Sequence, residues 1–339
     1  MNERYSRQEL FPEIGKEGQK KLFNSRIAVF GAGALGAAHA ESLARAGVGF
    51  IRMIDRDFVE FSNLQRQVLY TELDAFQKRP KAVAAMDRLR EINSEIEIEG
   101  IVADINHANV EDFLKDCDLV IDGTDNFQVR YLLNDAAVKH RKPWIYGAAV
   151  SSYGTTMTII PMETPCLRCV FEEIPSAGSS PTCDTAGVIA PIIASISAVQ
   201  VTEAIKILTG RRDALHGSLM QIDVWHSDWR RISLTNPRNE CPACGHRDFE
   251  FLTSPNEEYS TILCGRNAVQ IQPSNSSGFE LEKLADRYAD FKGFSSNEYL
   301  IRFEADGHDF TVFRDARAII GACEDVLEAR VLYSKFVGV

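Results

Sequence analysis

Three short apolar runs in the first half of the chain, Ile27-Ala-Val-Phe30, Phe50-Ile-Arg-Met-Ile54 and Leu119-Val-Ile121, each stop at a glycine or an aspartate. Apolarity of this kind over so few residues predicts strands buried on both faces, as in a parallel sheet covered by helices. The segments between them have a longer period. Helix formers follow Gly31 and run to Gly47, a predicted C-cap, while Lys81 to Ile92 sets Val83, Met86 and Leu89 on one helical face. With Glu97 to Val102 as a further strand, the alternation predicts an α/β fold, a Rossmann-like doubly wound sheet. Thr155 to Ile160, Leu219 to Val224 and Arg230 to Leu234 read as strands that complete it.

The pattern changes near Asn236-Pro237. A strand around Ile262, a helix from Phe279 to Phe291, a hairpin turning at Asp306-Gly307 and a helix from Glu324 to Phe336 predict a small C-terminal α+β module. The expected domains are residues 1–245 and 246–339. The apolar stretch Gly187 to Val199 runs into Gln200, Glu203 and Lys206, short of the roughly 18 to 20 apolar residues a membrane span needs. It is predicted to be a buried helix, with no membrane contact.

Charge narrows the partners. Lys plus Arg number 37 against 48 Asp plus Glu, a net charge of −11, which repels a polyanionic backbone and disfavours nucleic acid. The N-terminus is polar where an export signal needs an apolar core, so the eight cysteines are expected in a reducing cytoplasm.

Gly31, Gly33 and Gly36 match GxGxxG between a strand and a helix, where absent side chains let phosphate approach the backbone and the helix N-terminus favours its charge. Asp55, at the end of the next strand, stands where a carboxylate accepts hydrogen bonds from ribose hydroxyls. Taken alone, these residues are a weak signal: they suit a nucleotide site, that of an NAD oxidoreductase included, or glycines that only let a helix approach a strand. Arg66, Lys81 and Asp125, singled out by the family resemblance that their motifs carry, separate the readings. A carboxylate attacking the α-phosphorus of ATP develops charge on phosphoryl oxygens and pyrophosphate, so its site needs fixed cations and a metal-binding carboxylate. Hydride transfer has little use for them.

Cys166-Leu-Arg-Cys169 and Cys241-Pro-Ala-Cys244 are two thiolate pairs, each able to clasp one side of a tetrahedral Zn2+ ion. Four thiolates leave no open position, so the predicted zinc is structural and ties two distant segments together; a redox pair is the alternative use of one CxxC. Cys183 lies in a polar, turn-rich stretch before the long helix, whose N-terminus stabilises a thiolate. Cys117, Cys264 and Cys323 read as small buried hydrophobes.

The ordered set Arg4-Tyr-Ser-Arg7, the glycine loop, Ser62-Asn-Leu-Gln-Arg66, Pro80-Lys81, Asp122-Gly-Thr-Asp-Asn126, Thr182-Cys-Asp-Thr-Ala-Gly187 and the two CxxC pairs resembles the MoeB/ThiF family over about residues 4 to 245. These adenylyltransferases are related to the catalytic core of ubiquitin-activating enzymes and use ATP to activate small sulfur-carrier proteins. The tail around Cys264-Gly-Arg-Asn-Ala-Val-Gln270 and Leu332-Tyr-Ser-Lys-Phe-Val-Gly338 is most similar to ThiF-type proteins of bacilli. It does not resemble a rhodanese domain.

The resemblance implies adenylylation of the C-terminal glycine of a ubiquitin-like carrier, with release of pyrophosphate and Mg2+ as the metal. The implied carrier is ThiS-like, serving thiamin thiazole synthesis, with a MoaD-like carrier for molybdopterin as the alternative; the sulfur donor would be a cysteine desulfurase or a rhodanese. It implies that Asp55 holds ribose, that Arg66 and Lys81 hold the phosphates, and that Asp125 engages magnesium. It further implies that Arg7 reaches the nucleotide bound by the other subunit of a homodimer. Nucleotide contacts then fall to Gly31, Gly33, Ala34, Gly36, Asp55, Ser62, Asn63, Leu64, Gln65, Arg66, Lys81, Asp125 and Asn126, and the catalytic set is Asp125, Arg66, Arg7 and Cys183. Cys183 is implied to handle the carrier or its sulfur covalently in the thiamin branch and to be dispensable in the molybdopterin branch. Two departures bear on nucleotide affinity: Ala34 stands where many relatives have glycine, and the loop before Pro80-Lys81 is longer than in MoeB-type enzymes. A non-catalytic scaffold for a ubiquitin-like partner is the competing reading of another class.

Overall fold

A computed structural model describes residues 3–174, 183–234, 236–253, 259–263, 267–273 and 278–338. The chain divides into two compact units, Met1–Ser254 and Pro255–Val339.

The first unit is built on eight strands: β1 (Arg26–Phe30), β2 (Phe50–Asp55), β3 (Glu97–Val102), β4 (Leu119–Asp122), β5 (Trp144–Val150), β6 (Tyr153–Ile159), β7 (Ser218–Asp223) and β8 (Asp228–Ser233). Their order is β3-β2-β1-β4-β5-β6-β7-β8; β1 to β5 are parallel, and each pairing from β5 to β8 is antiparallel. Both faces of β1 are covered, which explains its unbroken apolar run. Ile27 and Val29 point into a core with the helices Ala34–Ala46, Lys81–Ile92 and Ala190–Thr209, while Ala28 and Phe30 enter a second core with the helices Val110–Leu114 and Phe127–Lys139. Between β1 and β4 the chain winds outward in opposite directions, opening a crevice at the strands' C-terminal ends.

Of three helix expectations, one holds and two shift in detail. The 34–46 helix does end at Gly47, in left-handed conformation at φ +82°. On the 81–92 helix the buried residues are Lys81, Ala82, Ala84, Ala85 and Leu89, with Val83 only half-buried, because small alanines permit the closer approach. The long apolar helix starts at Ala190, three residues after the positive-φ Gly187, and buries Ile192, Ile193, Ile196, Ala204 and Ile207. Strand β5 was not anticipated. Its Gly147-Ala-Ala149 segment lacks the bulk that marks a strand, and a Cβ on Gly147 would meet Gln200 Oε1 of the long helix at 2.4 Å. Residues 246–253 stay with the first unit: Phe249, Phe251 and Leu252 pack on its second core, and the Phe251 ring lies 5.4 Å from that of Tyr131.

The second unit is an antiparallel sheet of β9 (Tyr259–Leu263), β10 (Ala268–Gln272), β11 (Ser295–Ser296), β12 (Leu300–Ala305), β13 (His308–Phe313) and β14 (Ala318–Gly321), in the order β11-β12-β13-β14-β10-β9. Asp306 (φ +49°) and Gly307 (φ +81°) form the two-residue turn between β12 and β13, the positive-φ pair a tight hairpin requires. The helices Leu281–Tyr288 and Val326–Phe336 supply Tyr288 and Phe336 to a core with Phe303 and Phe310, whose rings stack at 5.0 Å.

Candidate active site

The crevice is closed at its base by glycines. A Cβ on Gly31 (φ +88°) would lie 2.6 Å from Gly123 O, so glycine there lets the loops after β1 and β4 meet, and one on Gly36 would lie 1.8 Å from Gly31 O, so glycine there lets the helix close onto its own loop. Gly33 is different. It caps the 34–46 helix, and the nearest atom to a Cβ there is 3.9 Å away, so packing does not demand its hydrogen. The space in front of Gly33 and the half-buried Ala34, at a helix N-terminus, suits a phosphate.

Asp55, the last residue of β2, is 9% exposed; its Oδ2 accepts from the amide of Ala32 (2.6 Å) and its Oδ1 from that of Asp57 (2.7 Å). Burial pushes its carboxyl above the usual range, against the pull of Lys81. Lys81 opens the 81–92 helix at 5% exposure, with Nζ 3.1 Å from Asp57 Oδ2 and its backbone amide donating to Asp57 O (2.8 Å). Burial alone would lower the lysine pKa, but Asp57, Asp55 and Asp125 outweigh it and hold the ammonium above its ordinary value. Tyr70 locks the arrangement by donating its hydroxyl to Ala32 O (2.6 Å).

The Ser62–Arg66 run is a tight turn beside this cluster. Asn63 is buried and its Oδ1 accepts from Glu60 N (3.0 Å); Leu64 packs on the core; Gln65 Nε2 donates to Val188 O (3.2 Å). The half-buried Arg66 turns back to donate from Nη1 to Ser62 O (2.9 Å), and Ser62 is exposed. After β4, Asn126 is occupied as a helix cap, accepting from Gln128 N (2.8 Å) and Val129 N (3.4 Å). Asp125 before it is exposed, and its charge is felt at Lys81, Arg56 and Arg130. The ends of β1, β2 and β4 thus bring the glycine loop, Asp55, Lys81 and Asp125 to one crevice.

The four CxxC cysteines form a second centre. Cys166 and Cys241 Sγ are 3.6 Å apart, Cys169 and Cys244 3.4 Å, Cys166 and Cys169 3.9 Å, and all four lie within 4.8 Å of one another. A tetrahedron with metal–sulfur bonds of about 2.3 Å has edges near ~3.8 Å, whereas a disulfide needs about 2.05 Å. The cluster therefore fits zinc, and it joins the segment after β6 to the segment after β8.

Residues 5–243 match the ThiF family. The chain belongs to that family. Among its relatives, the sulfur carrier protein ThiS adenylyltransferase of Bacillus subtilis is 45% identical over 341 residues, covering 100% of both chains. The sulfur carrier protein adenylyltransferase of Thermus thermophilus is 38% identical over 72% of this chain and 90% of its own. The crystal structure of E. coli MccB with ATP matches with a TM-score of 0.63 at 23% identity, over 72% of this chain and 75% of that one, and so shares the fold.

One described residue of the ThiF-family motif set, Arg7, does not join the crevice within one chain. Arg7 is exposed on the helix Ser6–Glu9, and its neighbour Gln8 donates from Nε2 to Ala46 O (2.9 Å). Ala46 ends the 13-residue helix that begins beside Gly33, about 20 Å away at 1.5 Å per residue. Cys183 begins the short helix Cys183–Ala186, but its side chain, like all of Cys264, lies outside the described residues. Cys117 and Cys323 are buried, and burial pushes the Cys117 thiol up to about 12. Sequence reasoning missed Asp57, Tyr70 and Arg130. Asp57 stood in the same run as Asp55, two residues away, and was the one with a readable signal.

Proposed function

We propose that this protein joins AMP to the C-terminal glycine of a ubiquitin-like sulfur-carrier protein of the ThiS type, releasing pyrophosphate. The observation that carries the reading is the correspondence with the Bacillus subtilis relative, which runs the full length of both chains and so includes the second unit. The Thermus thermophilus relative corresponds over 72% of this chain.

In the reaction, a carboxylate oxygen of the carrier's last glycine attacks the α-phosphorus of ATP. The bond from that phosphorus to the bridging oxygen breaks, and pyrophosphate departs with its electron pair. Charge grows on the phosphoryl oxygens, where Lys81 and Arg66 are the available cations. Lys81 exchanges Asp57 for phosphate, and Arg66 swings away from Ser62 O. Asp55 offers ribose the lone pairs left by the Ala32 and Asp57 amides. Asp125 is the proposed ligand for Mg2+, which when bound supplies positive charge to the phosphates.

In a homodimer, Arg7 of a second copy completes the crevice, in keeping with its distance from the glycine loop of its own chain. Sulfur then arrives as a persulfide on a cysteine desulfurase or rhodanese, whose outer sulfur attacks the activated carbonyl and displaces AMP; the resulting acyl disulfide is cleaved by a thiol, for which Cys183 is the proposed candidate, leaving the thiocarboxylate and a disulfide between that thiol and the donor. The proposed setting is the cytoplasm, where the cysteine cluster stays reduced.

Intact mass spectrometry of a ThiS-type carrier after incubation with the protein, ATP and Mg2+ tests the reading. The expected product is carrier heavier by one adenylyl group; an unmodified carrier beside folded protein that binds ATP would refute it.

A further inference from the structure

The loop that presents Asp125 is fastened from behind by a buried arginine. Arg130 is 5% exposed and lies one turn into the 127–139 helix. Its Nε donates to Asp122 Oδ2 (3.1 Å), and its Nη2 donates to Thr124 O (2.6 Å) and to Gly147 O on β5 (3.1 Å). The fully buried Asp122 uses its other oxygen to accept from the amide (2.9 Å) and hydroxyl (2.7 Å) of Thr124. Both ends of the Thr124 backbone are thereby held, including the carbonyl bonded directly to the Asp125 nitrogen. An ion pair buried this deeply contributes little net stability compared with apolar packing. Apolar side chains, however, cannot grip a backbone carbonyl.

We propose that Arg130 is a positioning residue for metal binding: by gripping the Thr124 carbonyl it fixes the direction in which Asp125 projects, so the carboxylate meets the metal–nucleotide complex already oriented. The Gly147 bond anchors the same guanidinium to the next strand, so the loop's position is set by β4 and β5 together. The proposal rests on the reading of Asp125 as a magnesium ligand.

Calorimetric affinity for the non-cleavable α,β-methylene analogue of ATP, measured on the full chain in Mg2+ and again in EDTA, separates positioning from general damage. Arg130→Lys weakens binding about tenfold in Mg2+ and leaves the EDTA affinity within about twofold. In an Asp125→Asn background the same substitution changes affinity by less than about twofold, since the group it acts through is gone. Thr124→Val removes one hydroxyl bond and no charge; it gives a smaller loss of the same pattern and serves if Arg130→Lys fails to fold. Equal losses with and without Mg2+, no loss in either variant, or losses that multiply in the double variant would overturn the proposal. If Asp125→Asn itself binds as tightly as wild type in Mg2+, the reading of Asp125 falls and takes this one with it. If Asp125→Asn is weakened and only the coupling is missing, the positioning role alone falls.

Discussion

Lys81 and Asp57 are joined twice, by an ion pair of 3.1 Å between Nζ and Oδ2 and by a main-chain hydrogen bond of 2.8 Å from Lys81 N to Asp57 O. The side-chain pair keeps an otherwise buried ammonium charged. Replacing Asp57 by Asn removes the carboxylate nearest to Lys81, while Asp55 and Asp125 remain to raise its pKa. The lysine pKa therefore falls, and the alkaline limb of nucleotide binding moves to lower pH in Asp57→Asn. Titrating nucleotide affinity from about pH 8 to about pH 11.5 checks this, since the wild-type limb lies above the ordinary lysine range; an unmoved limb would detach Asp57 from Lys81.

His39 supplies the acid-side prediction. Its ring is fully buried in the 34–46 helix, 2.8 Å from Gln200 Oε1, and burial lowers its pKa from 6.5 to about 4. A group whose folded pKa is depressed favours folding above its unfolded value, and that contribution is lost as pH falls through the folded one. Here it amounts to about 3 kcal/mol, present above pH 6.5 and fading toward pH 4. Denaturant unfolding at pH 7 and pH 4.5 should show a shallower loss for His39→Gln than for wild type. Parallel losses would assign the acid sensitivity elsewhere.

The cysteine cluster predicts about one zinc per chain, retained through gel filtration. Strong chelation should lower the melting temperature, and Cys169→Ser should do the same without chelator. Metal-free protein from a chelator-free purification would count against the site.

Arg7 and Asp125 belong to different copies of the chain in the proposed dimer. Inactive Arg7→Ala and Asp125→Ala proteins, mixed in equal amounts, should recover about a quarter of wild-type activity: half the dimers are mixed, and each of those has one intact site. No recovery despite verified subunit exchange would confine Arg7 to its own chain or to none.

What could be read beforehand divides along a physical line. Strands β1, β2 and β4 are buried on both faces, so their apolar runs and the Gly31, Asp55 and Asp122 that end them were visible as punctuation. Strand β5 was hidden because Gly147 must be small to admit Gln200, a requirement set by a helix fifty residues away. Arg130 has no signal of its own in the sequence, because its partners Asp122, Thr124 O and Gly147 O meet it only when the fold brings β4 and β5 together. Arg66 and Asp125 were found through the motif; the donation of Arg66 to Ser62 O has no sequence signature.

The most direct test of adenylyl transfer is exchange of labelled pyrophosphate into ATP, with a ThiS-type carrier and with the same carrier lacking its last glycine. Exchange should require the intact carrier and fall by at least about a hundredfold in folded Asp125→Ala, the scale of a lost group that stabilises transition-state charge. Exchange that proceeds equally well without the terminal glycine, or none with any carrier of this type, would contradict the account.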